Sequence, residues 1–453
     1  MKGNIKLNNT YTLTIQDMGH SGEGIGRINN FTIFVDKSVI GDKVEVKITT
    51  LKKNYGMGKV IKYIEHSPYR TTPKCSIASQ CGGCQIQNIR YEKQLELKKK
   101  IVKDNLERIG GLSDIKVHDV IGMEEPFRYR NKGQFPIGYK NKEIQLGFYM
   151  TKSHEIVPCD VCQIQHETSD VILQKIKAII KKHNITIYNE KTGKGNLRHI
   201  ITKVAYATEE MMLILVTNGK ELPNKEAFIH DIIKEMPFIT SLIQNINTKK
   251  SNVILGPENI TLYGKPTITD KIKDIAFHIS PQSFYQVNPI QTEKLYEKAL
   301  EYANLTGEET VFDLYCGIGT ITLFLAQKAK KVIGVEIVQE AVKDAQKNAK
   351  QNQIDNVEFH AGKAEDIVPK LYKQGVQADV VVVDPPRKGC DEILLSTIAD
   401  MHPNSIVYIS CNPSTLARDL KYLSKKGYKT QEVQPVDMFP HTMHVEAVTL
   451  LTK

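Results

Sequence analysis

Long apolar runs are missing from this chain of 453 residues, and no segment approaches the roughly 20 apolar residues that cross a bilayer. The start, Met1-Lys-Gly-Asn-Ile-Lys-Leu-Asn-Asn, carries positive charge with no apolar stretch behind it. That argues against a secretory leader and predicts a cytoplasmic protein that meets no membrane. Internal repeats and low-complexity tracts are missing too, and 41% hydrophobic with 25% charged residues excludes collagenous and disordered classes. Cysteine is sparse, eight in all, and in a reducing compartment it points to metal binding or catalysis rather than to disulfides. Acidic residues are outnumbered: 61 Lys and Arg against 51 Asp and Glu leave a net charge of +10, which favours a polyanionic partner.

At roughly 100–200 residues per domain, the length predicts several domains. Tyr11-Thr-Leu-Thr-Ile, Phe31-Thr-Ile-Phe-Val, Lys43-Val-Glu-Val-Lys-Ile and Lys59-Val-Ile-Lys-Tyr-Ile alternate between glycines as strands of a small β-barrel, here assigned residues 1–67. Residues 1–70 hold eleven Lys or Arg against six Asp or Glu, an excess of 11 − 6 = 5. A small basic barrel is suited to following a nucleic-acid backbone, although such charges also serve solubility alone. From Tyr91 to Ile109, apolar residues recur at helical spacing until Gly110-Gly111. Residues 68–280 form a central, mostly strand-like region with helices near 168–183 and 223–236, and the helix at 91–110 is a candidate to pack on the last domain.

Residues 281–453 are the most regular. Strands at Thr310-Val-Phe-Asp-Leu, Lys331-Val-Ile-Gly-Val, Val357-Glu-Phe, Ala378-Asp-Val-Val-Val-Val-Asp and Ser405-Ile-Val-Tyr-Ile-Ser alternate with helices, which predicts a doubly wound parallel sheet. Ligands of such sheets sit beyond the carboxyl ends of the strands. Asp313-Leu-Tyr-Cys-Gly-Ile-Gly-Thr supplies a tight first turn, and Glu336 ends the second strand, where a carboxylate accepts ribose hydroxyls. Gly317 and Gly319 lack the third glycine of the pyrophosphate-cradling fingerprint. An adenosine cofactor without pyrophosphate, S-adenosylmethionine, therefore fits better than a dinucleotide. Asp384-Pro-Pro-Arg opens into the same crevice, although a proline-rich loop also simply ends a strand.

The strand at 405–410 runs into Cys411, beside a helix beginning near Pro413 whose dipole should stabilise a thiolate; the bland alternative is a buried, inert cysteine. His441-Thr-Met-His-Val-Glu446 adds a carboxylate suited to act as a base. Cys75, Cys81 and Cys84, with Cys162 further on, could hold zinc or an iron–sulfur cluster, and spacing alone does not decide between them. The spacing typical of radical chemistry is not there.

Five motifs in one order carry a resemblance that spans nearly the whole chain. Ser280-Pro-Gln-Ser-Phe-Tyr-Gln-Val-Asn288, Asp313-Leu-Tyr-Cys-Gly, Asp384-Pro-Pro-Arg-Lys-Gly, Ser410-Cys-Asn-Pro-Ser-Thr-Leu-Ala-Arg-Asp and Asp437-Met-Phe-Pro-His-Thr-Met-His-Val-Glu resemble the bacterial RNA (uracil-5-)-methyltransferases. The resemblance implies a TRAM barrel, a central domain with a cluster, and a Rossmann-like class I methyltransferase domain. It implies Cys411 as nucleophile and Glu446 as base, with Gln286, Tyr315, Glu336 and Asp384 contacting S-adenosylmethionine; some relatives carry Phe at the place of Tyr315. It also implies a 4Fe-4S cluster on Cys75, Cys81, Cys84 and Cys162, with Cys159 as an alternative fourth ligand.

The expected substrate is 23S ribosomal RNA, because the tRNA-modifying branch generally lacks the barrel and the cysteine cluster. Alternatives are a tRNA uracil-5-methyltransferase, a non-catalytic RNA-binding protein and a small-molecule methyltransferase. No obligate protein partner is indicated. The Cys–Glu pair has its own chemical reason: carbon 5 of uracil is too weak a nucleophile until a thiolate has added to carbon 6, and its proton must afterwards be removed.

Overall fold

The computed structural model describes residues 5–151 and 153–453. Five strands, Thr10–Met18, Gly24–Ile28, Phe31–Asp36, Lys43–Leu51 and Tyr55–Glu65, close into a barrel in the order first, second, third, fifth, fourth. Alternation turns Leu13, Ile15, Val44, Val46 and Ile48 inward. Gly24–Ile28 is invisible to the alternation rule because glycines occupy its inward places. The barrel needs them small, since a Cβ at Gly24 would stand 2.0 Å from the Ser38 hydroxyl. The barrel's apolar core continues outward through Ile86, Ile89, Leu97 and Met443, so the barrel is seated on the following helix and on a loop of the last domain.

The central region is a seven-stranded sheet in the order Glu258–Gly264, Ser241–Ile246, Met211–Thr217, Leu197–Val204, Lys132–Lys140, Glu143–Tyr149, Ile156–Pro158. Helices Glu167–Lys182 and Lys225–Glu235 cover one face through Ile172, Ile176, Ile180, Phe228 and Ile232. On the other face Ile201, Met212, Ile214 and Val216 join the core of the last domain. Being covered on both sides, Leu197–Val204 and Met211–Thr217 are buried throughout.

The last domain holds an eight-stranded sheet ordered Val357–Ala361, Lys331–Glu336, Thr310–Leu314, Val380–Val383, Ser405–Ser410, Glu446–Thr452, Lys429–Val436, Lys116–Val117. The first five strands are parallel, and Glu446–Thr452 runs antiparallel to both its neighbours. Its core recruits residues from before position 281. The hairpin Ile268–Ile272 and Ile275–Ile279 buries five isoleucine and phenylalanine side chains there, because alone it has no other apolar surface to cover them. Lys116–Val117 adds the edge strand, and helix Tyr91–Asn105, extended by a wider turn Leu106–Gly110 and ended by Gly111 at φ 69°, buries Val102 and Leu106 in the same domain.

One ion pair locks this arrangement. Lys98 on that helix and Asp437 are both 0% exposed at the side chain, 2.5 Å apart; Lys98 also donates to the Phe439 carbonyl, and the Tyr91 hydroxyl donates to Asp437 at 2.8 Å. Removing one partner strands the other charge away from water. Lys98→Ala is therefore expected to cost about 3–5 kcal/mol in denaturant unfolding.

Candidate functional site

The strand order reverses between Thr310–Leu314 and Val380–Val383, which opens a crevice at their carboxyl ends. The chain turns there through Tyr315 at φ 68°, Gly317 at φ 57° and Gly319 at φ 81°, into helix Thr320–Ala326. A left-handed tyrosine is strained, and it is held by hydrogen bonds from the amides of Tyr315 and Cys316 to the Val335 carbonyl at 2.9 and 3.1 Å. Glu336 accepts from the amides of Gly317 at 3.1 Å and Val338 at 2.8 Å, which fixes its carboxylate at the rim with lone pairs to spare. Beneath it Asp313 accepts from the Thr322 hydroxyl at 2.5 Å through one oxygen and leaves the other without a partner; burial pushes this acid up to about 7.

Asp384 follows the strand Val380–Val383, and burial with Asp313 nearby raises it also. Gln286 lies in the loop before helix Pro289–Ala303, its carbonyl accepting from Asn131 at 2.9 Å. No hydrogen bond among the described residues joins it to Glu336 or Asp384. A fixed carboxylate, an orphaned carboxylate oxygen and an aromatic ring at a strand-end crevice fit an adenosine carrying a cationic sulfur.

Cys411 and Glu446 meet because of strand register. Ser410 pairs with Ala447 in the antiparallel ladder, which brings the next residues, Cys411 and Glu446, near enough for the carboxylate to raise the thiol. The cysteine is half-buried; Glu446 is 4% exposed and one of its oxygens has no partner. Cys411 lines a cleft of about 620 Å³ whose other walls come from the barrel (Asp17, His20), the helix at 91–105 (Lys100) and Arg387.

The helix dipole does not decide the state of this thiol. Asn412 caps helix Pro413–Lys425 by accepting from the Ser414 amide at 3.2 Å. Yet burial and the carboxylates of Glu446 and Asp384 push Cys411 up to about 11, with Arg387 pulling the other way. Burial and Asp384 likewise lift Glu446 well above the ordinary carboxylate range. The free protein should therefore alkylate slowly with iodoacetamide at Cys411, the rate rising about tenfold per pH unit towards pH 11. Arg387→Ala should slow that reaction and Glu446→Gln should speed it, read by mass spectrometry of the Cys411 peptide.

Burial raises the thiols of Cys75, Cys81 and Cys84, and Cys162 lies near enough to raise each of them further. Cys159 donates to Cys162 and holds it down at about 7. Among the described residues no three His, Cys, Asp or Glu side chains stand close enough to hold a metal ion. The residue types, thiols on one loop and on one distant turn, are those that bind zinc or iron, but their side chains are not drawn together into a site.

Sequence reasoning gave no role to Asp313, Arg387 or the Lys98–Asp437 pair. Asp313 and Arg387 stand inside motifs already singled out, whereas Lys98 lies 339 positions from its partner and left no signal.

Fold and site together define a nucleoside-cofactor methyltransferase with a half-buried cysteine and a buried carboxylate near Asp384. Residues 90–453 match the tRNA (uracil-5-)-methyltransferase family, and residues 6–61 match the TRAM domain. The chain belongs to this S-adenosylmethionine-dependent family of RNA methyltransferases. An uncharacterized RNA methyltransferase of Clostridium tetani is 53% identical over 448 residues, covering 99% of this chain and 97% of that protein. One of Bacillus cereus is 52% identical, covering 99% and 98%. Among solved structures, the Pyrococcus abyssi tRNA (uracil-54, C5)-methyltransferase in complex with S-adenosyl-L-homocysteine superposes with a TM-score of 0.77 at 29% identity, over 98% of this chain and 100% of that one. Among the described residues no helix is long and apolar enough to cross a membrane.

Proposed function

We propose that this chain methylates carbon 5 of one uridine in RNA, in the cytoplasm, with Cys411 as a covalent nucleophile and Glu446 as base. The observation that carries the reading is the ladder register that sets a half-buried thiol beside a carboxylate with an unpartnered oxygen. The Cys411 thiolate adds to carbon 6, and the electron pair of the 5,6 double bond moves towards the carbonyl at carbon 4 to give an enolate. Gln286, Tyr315, Glu336 and Asp384 would hold S-adenosylmethionine, which would supply an electrophilic methyl group. Carbon 5, made nucleophilic by the adduct, acquires that methyl group as the methyl–sulfur bond breaks, and S-adenosylhomocysteine is the leaving group. Glu446 then takes the proton from carbon 5, the double bond re-forms, and the bond from carbon 6 to sulfur breaks to return the thiolate. Burial and nearby carboxylates hold the Cys411 thiol at about 11 even with the opposing pull of Arg387 at the cleft wall, so the thiolate is a minor species at neutral pH. Both ring faces must be reachable, so a stacked uridine has to be turned out of its helix.

The cysteine loop favours 23S ribosomal RNA as substrate, with Cys75, Cys81, Cys84 and Cys162 as ligands of a 4Fe-4S cluster that pins the loop. The barrel does not discriminate, because the archaeal tRNA enzyme aligns over 98% of this chain, barrel included. That alignment favours transfer RNA as the second reading. The test is methyl transfer from labelled S-adenosylmethionine to unmodified 23S ribosomal RNA and to transfer RNA, in parallel, with protein purified without oxygen. Brown, iron-containing protein that labels a 23S uridine is expected. Label in transfer RNA alone establishes the second reading, and colourless zinc protein removes the iron–sulfur cluster.

A further inference from the structure

A second cavity, about 450 Å³, opens in the central sheet, lined by residues that the methyl-transfer site does not use. Its walls include Tyr139, Tyr149, Tyr188, His154, Arg198 and His199. The strand Leu197–Val204 reaches it through a β-bulge: Leu197 pairs with Thr217 and His199 with Val216, which leaves Arg198 as the extra residue. A bulge of this kind re-aims side chains, and here both Arg198 and His199 line the same cavity although they are neighbours on a strand.

The lining is both aromatic and polar. Tyr139 is 57% exposed, an open ring face. Tyr149 and His154 lie with ring centres 5.2 Å apart, and the Arg198 guanidinium covers the Tyr188 ring at 4.5 Å. Arg198 and His199 are only 7% and 8% exposed, yet Arg198 Nε and His199 Nδ1 have no hydrogen-bond partner. Burial and the Arg198 charge hold His199 down at about 4, so its imidazole is neutral and offers one donor and one acceptor. Both side chains line the cavity and keep hydrogen-bonding capacity that no described residue uses.

Charge at the rim indicates which kind of ligand would use it. Of the carboxylates in the lining, Glu155 is paired with Lys140 at 2.8 Å, while Glu190 lies 3.4 Å from His154, which balances it only when the imidazole is protonated. Lys191 and Lys194, on the turn before the bulge, are exposed, as are Lys249 and Lys250, and none of the four is in an ion pair among the described residues. The two loops adjoin: Arg198 donates to the Lys249 carbonyl at 2.9 Å, and a Cβ on Gly193 would touch the Lys250 side chain. Flat π faces, directional groups that match a base edge, and free lysines beside them form the combination that binds unstacked bases of a single strand.

We infer that this cavity is a second RNA site, which takes one unstacked base of single-stranded RNA against the open Tyr139 ring while the rim lysines hold the flanking phosphates. The inference rests on the RNA-modifying reading above only for the type of nucleic acid. It extends the footprint beyond the catalytic cleft and makes the central domain a reader of single-stranded sequence near the target.

The test uses the full chain and short fluorescein-labelled oligouridylate and oligoadenylate, followed by anisotropy at one fixed low salt concentration. Tyr139→Ala and His199→Gln should each weaken binding of at least one oligonucleotide about tenfold. Irradiated oligonucleotides carrying 5-iodouridine should crosslink to the peptide holding Tyr139 or Tyr149. Unchanged affinity in both variants overturns the proposal. So does a loss seen only when Lys191 and Lys249 are replaced, which describes a phosphate surface with no base pocket, or displacement by polyglutamate as strong as by RNA, which describes an acidic-peptide site. A chain that methylates no RNA yet loses oligonucleotide binding with Tyr139→Ala retires the proposed activity and keeps the pocket.

Discussion

Cys411→Ala is expected to reduce methyl transfer by roughly 10⁴-fold or more, the scale at which removal of covalent machinery acts, and to abolish any protein–RNA band that survives denaturation. The reason is electronic. Without addition at carbon 6, carbon 5 has no enolate character, and no other thiol is in place to supply it. Cys316 and Cys390, the remaining cysteines of the last domain, are both buried, and burial drives Cys390 up to about 12. Cys411→Ser separates the roles further: an alkoxide adds far less readily, so activity should remain at background while affinity for S-adenosyl-homocysteine, read by calorimetry, is unchanged. Turnover by the alanine variant would leave the covalent route without a nucleophile and would move the chemistry elsewhere in the crevice.

Much of the methyltransferase domain is legible because buried parallel strands write themselves as unbroken apolar runs. Val380–Val383 is four valines, all buried, and its next residue, Asp384, falls in the crevice for that reason. Position in a strand also explains Glu336. Legibility ends where contacts are distant in the chain or depend on register. Nothing local says that Glu446–Thr452 runs antiparallel between two other strands, and a slip of one residue would turn Glu446 away from Cys411. The dipole argument for Cys411 was incomplete for a related reason. It counted the helix beside the thiol and could not count its burial, nor the two carboxylates that arrive from other strands. Gly24–Ile28, the barrel strand whose inward side chains are absent, and the hairpin Ile268–Ile279, whose apolar side faces another domain's core, are lost to single-strand patterns in the same way.

Glu446→Gln should produce the opposite phenotype to Cys411→Ala: an enzyme that begins the reaction and cannot finish it. Glutamine has the shape of glutamate and hydrogen-bonds, but it cannot accept the carbon 5 proton. Addition and methylation therefore proceed once, and the adduct persists. The expected result is a stoichiometric protein–RNA species on a denaturing gel that carries label from S-adenosylmethionine, with turnover reduced by about 10²–10⁴-fold, the range for loss of a positioned base. Because burial and Asp384 lift Glu446 well above the ordinary carboxylate range, wild-type release should be limited at low pH by a base that is already protonated, and should speed up as pH rises through its pKa. The glutamine variant should lose that limb of the profile. Free, fully methylated product from Glu446→Gln at the wild-type rate would assign proton removal to another group, and Asp384, close enough to raise Glu446, is the carboxylate that such a result would implicate.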